Sequence, residues 1–416
     1  MKVAVVLSGL MPTVGGGYTF QAEVFNGLSE LAGCSEHEFT VFYQSAENID
    51  QYRHDPKYGK FNFVSYQPTQ QERLTRIFYP RLKWGLNRLV SAICGPVCHA
   101  SLPAAHEPQN YLEEIMLDHG IEMAWFVGGG CWEAVDIPYI ATVWDLMHLS
   151  DPWFPEVSAK GEWRKRDVAL SVFLRRAAAI ITGTQVGKRE IEYFYNVPAE
   201  RIHLLPHPTP GFALRAPDEG EGVLSKYGIA GKYLFYPAQF WPHKNHVVLL
   251  HVLKKLAEMG ASNFSLVFVG SDQGNLNFVK QRAMELGVVE KVFFLGFVPV
   301  DDLIALYRNA FALTYVSFCG PENLPPLEAF ALGCPVLASD IPGAREQLGE
   351  SACLIDPAKP EQIAKMLLVL DSDAKRRESL INRGLQRASS WTSSEYIKGV
   401  FSILDKFAQI RTSWRS

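Results

Sequence analysis

Short runs of apolar residues, such as Val3–Leu7, Phe39–Tyr43 and Ser265–Val269, alternate along this chain with longer stretches whose apolar positions return every three to four residues. The runs read as buried strands and the stretches as amphipathic helices. Their alternation predicts parallel sheets covered by helices on both faces. In the first half, strands are expected at Val3–Leu7, Phe39–Tyr43, Phe61–Tyr66, Met123–Val127, Tyr139–Val143, Ala179–Thr182 and Ile202–Leu205. Helices are expected at Tyr18–Leu31, Gln71–Ala92, Gln109–His119, Arg164–Ala177 and Lys188–Tyr195.

The second half repeats the pattern more cleanly. Its strands fall near Tyr233–Pro237, Ser265–Val269, Val292–Leu295, Phe311–Tyr315, Val336–Ala338 and Cys353–Ile355. Its helices fall at His246–Met259, Leu276–Leu286, Asp301–Arg308, Pro326–Leu332, Pro360–Leu370 and Ala374–Ala388, with a last amphipathic segment at Ser394–Ile410. Pro, Gly and acidic residues cluster from His207 to Gly222, as in linkers. The chain therefore reads as an α/β protein: a Rossmann-like domain at 1–208, a linker at 209–222, a second Rossmann-like domain at 223–390 and a final helix at 391–416. Two such domains facing each other define a cleft, where ligands prefer to bind.

Composition narrows the classes. With 416 residues, 48% of them hydrophobic, the chain has material for two or three cores. Its 40 basic and 44 acidic residues leave a net charge of −4, so no global field gathers nucleic acid. Seven scattered cysteines without zinc-ligand spacing read as reduced thiols of a cytoplasmic protein. The opening MKVAVVLSGL reads as a buried strand rather than a signal peptide, because it runs on into TVGGGY. The stretch nearest to a membrane span, Leu89–Ala105, is broken by Gly95, Pro96 and Pro103. Arg73–Arg88 interleaves basic and aromatic residues without an acid; it is either a solvated helix face or an interfacial surface for a lipid-linked acceptor on an anionic membrane.

The chemistry concentrates at Phe318–Val336, FCGPENLPPLEAFALGCPV. Gly320, Pro321 and Asn323 form turns, Pro325 and Pro326 suit the first turn of a helix, and Glu328 follows within it. The amides and dipole of that helix start favour phosphate, although a Glu there also complements the dipole without any ligand. The loop lies between two expected parallel strands, at the sheet edge where open α/β folds bind ligands.

These segments resemble family 4 of the retaining glycosyltransferases, which have the GT-B fold. The resemblance spans nearly the whole chain. It rests on Gly15–Gly17, VWDLMH at Val143–His148, PAQFWPHKNH at Pro237–His246 and VGSDQG at Val269–Gly274. It continues through Phe294–Ala310, the loop and helix just described, and SDIPGAREQLG at Ser339–Gly349. It implies a metal-independent hexosyltransferase that needs no cofactor. The second domain would hold a nucleotide-diphosphate sugar as co-substrate, with mannose and a guanine nucleotide as the first guess. The first domain would present a saccharide or lipid-linked acceptor for cell-surface polysaccharide, lipopolysaccharide or glycolipid synthesis. The last helix would cross back.

Carried over by position, Glu328 resembles the carboxylate that binds the nucleotide ribose, and Lys244 the lysine that neutralises the diphosphate. Gly15, Gly16 and Gly17 would admit phosphate or acceptor close to the backbone. Asn323 and Leu324 would complete the donor loop beside Gly320 and Pro321. Three positions depart from the family pattern. Gly320 stands where a first glutamate is usual, making Glu322 the substitute candidate; Gln239 replaces an arginine; Trp144 replaces a histidine. His243 and His246 flank Lys244 and are candidates to share its work. Asp145 and His148 remain as polar groups for the cleft, His148 being read equally as a structural histidine. Asp145, His148, Lys244 and Glu322 are thus the catalytic candidates. A silent nucleotide-sugar-binding scaffold and a nucleotide-sugar epimerase stand as alternatives.

Overall fold

A computed structural model of the chain describes residues 1–11, 15–45, 49–67, 110–129, 131–217 and 222–414. The expected helix Gln71–Ala92, the basic and aromatic stretch Arg73–Arg88 and the apolar stretch Leu89–Ala105 lie outside the described residues.

Among the described residues, seven parallel strands form the first sheet: β1 (Lys2–Leu7), β2 (Glu38–Tyr43), β3 (Asn62–Ser65), β4 (Met123–Phe126), β5 (Tyr139–Thr142), β6 (Ala179–Thr182) and β7 (Ile202–Leu204). Their order is β3-β2-β1-β4-β5-β6-β7. Six parallel strands form the second: β8 (Lys232–Pro237), β9 (Phe264–Val269), β10 (Val292–Phe294), β11 (Ala312–Tyr315), β12 (Val336–Ser339) and β13 (Ala352–Ile355), in the order β10-β9-β8-β11-β12-β13. Strands β4, β5, β6 and β9 are buried at every position, because helices cover both faces of each sheet. Chain direction across each sheet reverses between β1 and β4 and between β8 and β11. Open α/β sheets bind ligands beyond the carboxyl ends of the strands at such points.

The connections between the halves fix the cleft. The helix Ala374–Ser390 packs in the second domain, where Gly384 leaves room for the ring of Phe330. After Trp391 the chain enters the helix Ser393–Arg411, which lies on the helix Gly16–Leu31 of the first domain. Gly27 permits that approach, since a Cβ there would meet Ser393 Cβ at 2.6 Å. Tyr396, Ile397, Val400, Ile403 and Leu404 are buried, and each contributes about 1.5–3 kcal/mol of hydrophobic stabilisation. The Thr209 N–H donates to Trp391 O at 3.1 Å and Trp391 Nε1 donates to Pro206 O at 2.8 Å, so the two connections run side by side.

Several helix limits differ from the sequence expectation. The helix expected at Lys188–Tyr195 starts at Gln185, where Thr184 accepts the Gly187 N–H as its cap. That expected at Arg164–Ala177 runs Glu162–Arg176. The helix expected from Pro326 starts at Leu324 and ends at Ala331, because consecutive prolines fit the second and third helical positions, whose N–H groups have no intrahelical acceptor.

Candidate functional site in the interdomain cleft

Beyond the carboxyl end of β8 the chain makes a short turn, Pro242–Lys244, held by Asn245 in the left-handed region at φ 57°. Asn245 donates through Nδ2 to Val316 O and Pro357 O, fixing this turn against the segments that follow β11 and β13. Lys244 Nζ then lies 2.8 Å from the Tyr315 hydroxyl and 3.5 Å from Asn323 Oδ1. It also lies 5.2 Å from the centre of the Tyr315 ring. A cation is thus held at the mouth of the helix Leu324–Ala331, without a carboxylate among these partners.

Asn323, at the N-cap, turns its own amide back to Gly320 O at 3.0 Å, and Gly320 takes φ 106° to allow it. Gln347 clamps the cap from the other side, accepting the Asn323 N–H at 3.0 Å and donating to its carbonyl at 2.8 Å. Since Pro325 and Pro326 carry no N–H, the Leu324 amide and the helix dipole remain for an anion. This is a leaner anion site than the expected run of free amides. Pro321 rests its backbone on Gly343, where a side chain would overlap it.

Glu328 is buried in the second turn and accepts a hydrogen bond from the Tyr307 hydroxyl at 2.6 Å. Burial raises its pKa to about 7 despite that bond. Gln239 has its amide engaged by Ser271 and Trp241, and its side chain faces Gly15 across the cleft. Gly16 faces Leu324 in the same way. Gly17 receives the Trp144 indole, which would lie 3.1 Å from a Cβ there. Only Gly15 of the three has positive φ, at 78°. The glycine loop therefore meets the second domain and a tryptophan, an arrangement the sequence expectation of phosphate or acceptor contact did not include.

Other candidates are turned elsewhere. Glu322, expected on the donor, is planted in the domain junction. Its carboxylate accepts the His207 N–H at 2.8 Å and fills the space left by Gly183, where a Cβ would overlap it. Burial, reinforced by Glu346, raises its pKa to about 8. His148, expected at the cleft, is wholly buried with Nε2 3.1 Å from the Tyr195 hydroxyl. Burial and then Arg166 bring its pKa to about 4, that of a neutral core imidazole. His246 is equally buried, stacks on Phe240 at 4.3 Å and sits 3.2 Å from Ala238 O through Nε2. Burial lowers its pKa to about 3, so it adds no charge beside Lys244.

His243 crosses the cleft. Its backbone N–H donates to Glu156 Oε1 at 3.0 Å and its ring Nδ1 bonds the same oxygen. Burial and the Lys244 charge hold the imidazole below its usual range, making it the neutral donor to an ionised Glu156. Phe154 stacks on Phe318 with ring centres 6.1 Å apart, and Glu346 accepts the N–H groups of Gln185 and Val186 at 2.6 and 3.2 Å. Asp145 Oδ1 accepts from Arg166 at 2.9 Å and from the Met147 N–H at 3.0 Å. Burial pushes its carboxyl up, but Arg166 and that N–H outweigh it and hold the pKa below the usual value.

Tyr315, Tyr307, Gln347, Glu156 and Glu346 are contacts that sequence reading missed. Their only signal was position, Tyr315 closing a strand and Glu346 lying in the SDIPGAREQLG segment. Among the described residues no group of three or more His, Cys, Asp or Glu side chains gathers to hold a metal ion, and no helix is long and apolar enough to cross a membrane.

Residues 227–387 match the family of glycosyl transferases group 1. The chain is 30% identical over 241 residues to O-antigen chain mannosyltransferase B of Escherichia coli, covering 57% of this chain and 63% of that protein. It is 28% identical over 188 residues to O-antigen chain mannosyltransferase RfbU of Salmonella typhimurium, covering 45% and 49% respectively. The chain thus spans less than two thirds of either relative. Among solved structures, Anabaena HepE in complex with UDP and glucose superimposes with a TM-score of 0.68 at 14% identity, over 98% of this chain and 100% of that one. WaaG, a glycosyltransferase involved in lipopolysaccharide biosynthesis, gives 0.65 at 17% identity, over 96% and 99%. The fold is GT-B: two facing Rossmann-like domains of parallel sheets with a cleft between them.

Proposed function

We propose that this protein is a retaining, metal-independent glycosyltransferase that moves a hexose, mannose in the first instance, from a nucleotide-diphosphate sugar to a saccharide or lipid-linked acceptor. The product would be a cell-surface polysaccharide or glycolipid, assembled at the cytoplasmic face of the membrane. The two relatives named as O-antigen mannosyltransferases support the sugar and the product class. One observation carries the reading: Lys244 Nζ is held by Tyr315 and Asn323 at the start of the helix Leu324–Ala331.

The reaction breaks the bond between the anomeric carbon and the diphosphate while an acceptor oxygen attacks. Negative charge grows on the departing phosphate, and a fixed cation with a helix dipole stabilises it more in the transition state than in the ground state. Lys244 and the Leu324 amide fill those roles, with His243 reaching the same space once Glu156 releases it. Glu328 takes the vicinal ribose hydroxyls. Asp145, ionised and fixed by Arg166, orients the acceptor, and the departing phosphate accepts the acceptor's proton on the same face, which gives retention.

The burial of Glu322 between the domains favours a second reading, a closed scaffold that binds a nucleotide sugar without turnover. Incubation with a panel of nucleotide sugars and a lipid-linked oligosaccharide, read by mass spectrometry and anomeric proton NMR, separates the two. An added hexose with the donor's anomeric configuration is expected. Inversion, or donor binding without transfer across the panel, overturns the proposal.

A further inference from the structure

A concavity opens on the first domain beside Asp145. It encloses about 230 Å³ and is lined by Trp132, Trp144, Asp145, Glu162 and Arg166 with the backbone of Gly129. That volume falls below the ~300–1,000 Å³ of drug-sized ligand sites, so it suits a single ring rather than a nucleotide sugar. Its chemistry is that of a carbohydrate site. Tryptophan faces cover the C–H surfaces of a pyranose, and carboxylates with a guanidinium bond its hydroxyls.

Two of these side chains are incomplete. Arg166 Nε and Trp144 Nε1 are buried donors without an acceptor, though Arg166 is otherwise fixed by Asp145 at 2.9 Å and lies 5.7 Å from the centre of the Trp132 ring. Both atoms are out of solvent contact, so what the cavity offers a ligand is the Trp132 ring, the Asp145 and Glu162 carboxylates and the remaining surface of Arg166. Asp145 and Glu162 give two carboxylates against one guanidinium. Lys165, 3.4 Å from Glu162, stands 74% exposed, where solvent screens it. The cavity is therefore net negative and disfavours an anionic sugar.

Position makes it useful. The six-membered edge of Trp144 packs on Gly17 and Gly128, so one residue forms a wall of this cavity and touches the glycine loop facing the second domain. We propose that this cavity is a sugar subsite: it takes one uncharged pyranose ring of the acceptor glycan, stacked on Trp132 and bonded by Arg166, Asp145 and Glu162. The inference rests on the transferase reading for the word acceptor, but the binding of a sugar ring here is tested separately.

The test is saturation-transfer NMR and calorimetry on the full chain without donor, using methyl α-mannoside, methyl α-glucoside and methyl α-galactoside, with methyl glucuronide as the anionic probe. At least one neutral glycoside is expected to bind, with the glucuronide at least tenfold weaker. Trp132→Ala and Glu162→Gln are expected to weaken that binding about tenfold or more, and Trp132→Phe to retain most of it. Circular dichroism confirms that each variant is folded. Glycoside binding unchanged in Trp132→Ala and Glu162→Gln, equal binding of the glucuronide, or no glycoside binding at all, which would leave the cavity to water, each overturns the subsite. Transfer with normal kinetics in folded Trp132→Ala would sink the subsite alone and leave the transferase standing. Glycoside binding at Trp132 in a protein that transfers nothing would sink the transferase alone.

Discussion

Glu322 of the second domain accepts the backbone N–H of His207 in the first at 2.8 Å, so the loop expected to meet the donor is tied across the domain junction. Its pKa is raised from the usual carboxylate value to about 8. The folded protein then holds a proton that the unfolded chain releases, and stability falls as pH climbs through the window up to about 8. Below the ordinary histidine range the opposite limb begins, because His148, His207 and His246 must take up protons they resist when buried. Glu322→Gln is expected to flatten the alkaline limb and leave the acid limb in place. Melting temperatures measured from pH 6.5 to 9 that decline equally in both proteins would refute the assignment.

Gly183 leaves the space that the Glu322 carboxylate occupies. Gly183→Ala is expected to separate the domains, reported as a larger radius of gyration in solution scattering and a lower melting temperature. An unchanged scattering curve would count against the contact.

Lys244→Ala removes the cation held by Tyr315 and Asn323, and should cost about 2–4 kcal/mol in kcat/KM, the range for one preorganised electrostatic contact. Tyr315→Phe, which removes only the hydroxyl that orients Nζ, should cost less. Steady-state kinetics with a nucleotide sugar decide it, and near-normal turnover in Lys244→Ala would remove that residue from the site.

Glu328 has its pKa raised to about 7, and a ribose diol binds the ionised form better. Donor affinity is expected to rise with pH through 7 and level off above it, a profile that Glu328→Gln abolishes. Calorimetry with an intact nucleotide sugar, whose diphosphate does not titrate there, gives the curve. A profile identical in wild type and variant would place the pentose elsewhere.

His148→Phe replaces a buried imidazole bonded to Tyr195, and is expected to lower stability by about 1–3 kcal/mol while leaving kcat within a few fold. Chemical denaturation and initial rates together test this. A large drop in kcat in a fully stable variant would return His148 to the chemistry.

The sheets were readable because strands covered on both faces appear as largely apolar runs; Phe264–Val269 is buried throughout, and the expectation Ser265–Val269 missed only its first residue. Helix starts were harder. Thr184 and Asn323 are one polar residue each, and their effect depends on backbone angles that periodicity does not carry. The turn that carries Lys244 was visible as a polar loop after a strand, yet Tyr315 was not, since a tyrosine closing an apolar run looks like core. Direction was the main loss. Nothing in ENLPP states that Glu322 turns toward Gly183 and His207, residues far away in the chain. Nor does WDLMH state that its histidine turns inward to Tyr195.

The paired crossings at Pro206–Thr209 and Trp391 bear on motion. Two straps stitched to each other behave like a door hung on two pins: swinging leaves both intact, while sliding or wringing one half against the other strains both at once. Opening of the two lobes should therefore follow a single arc, returning the two faces of the cleft to the same register after every cycle.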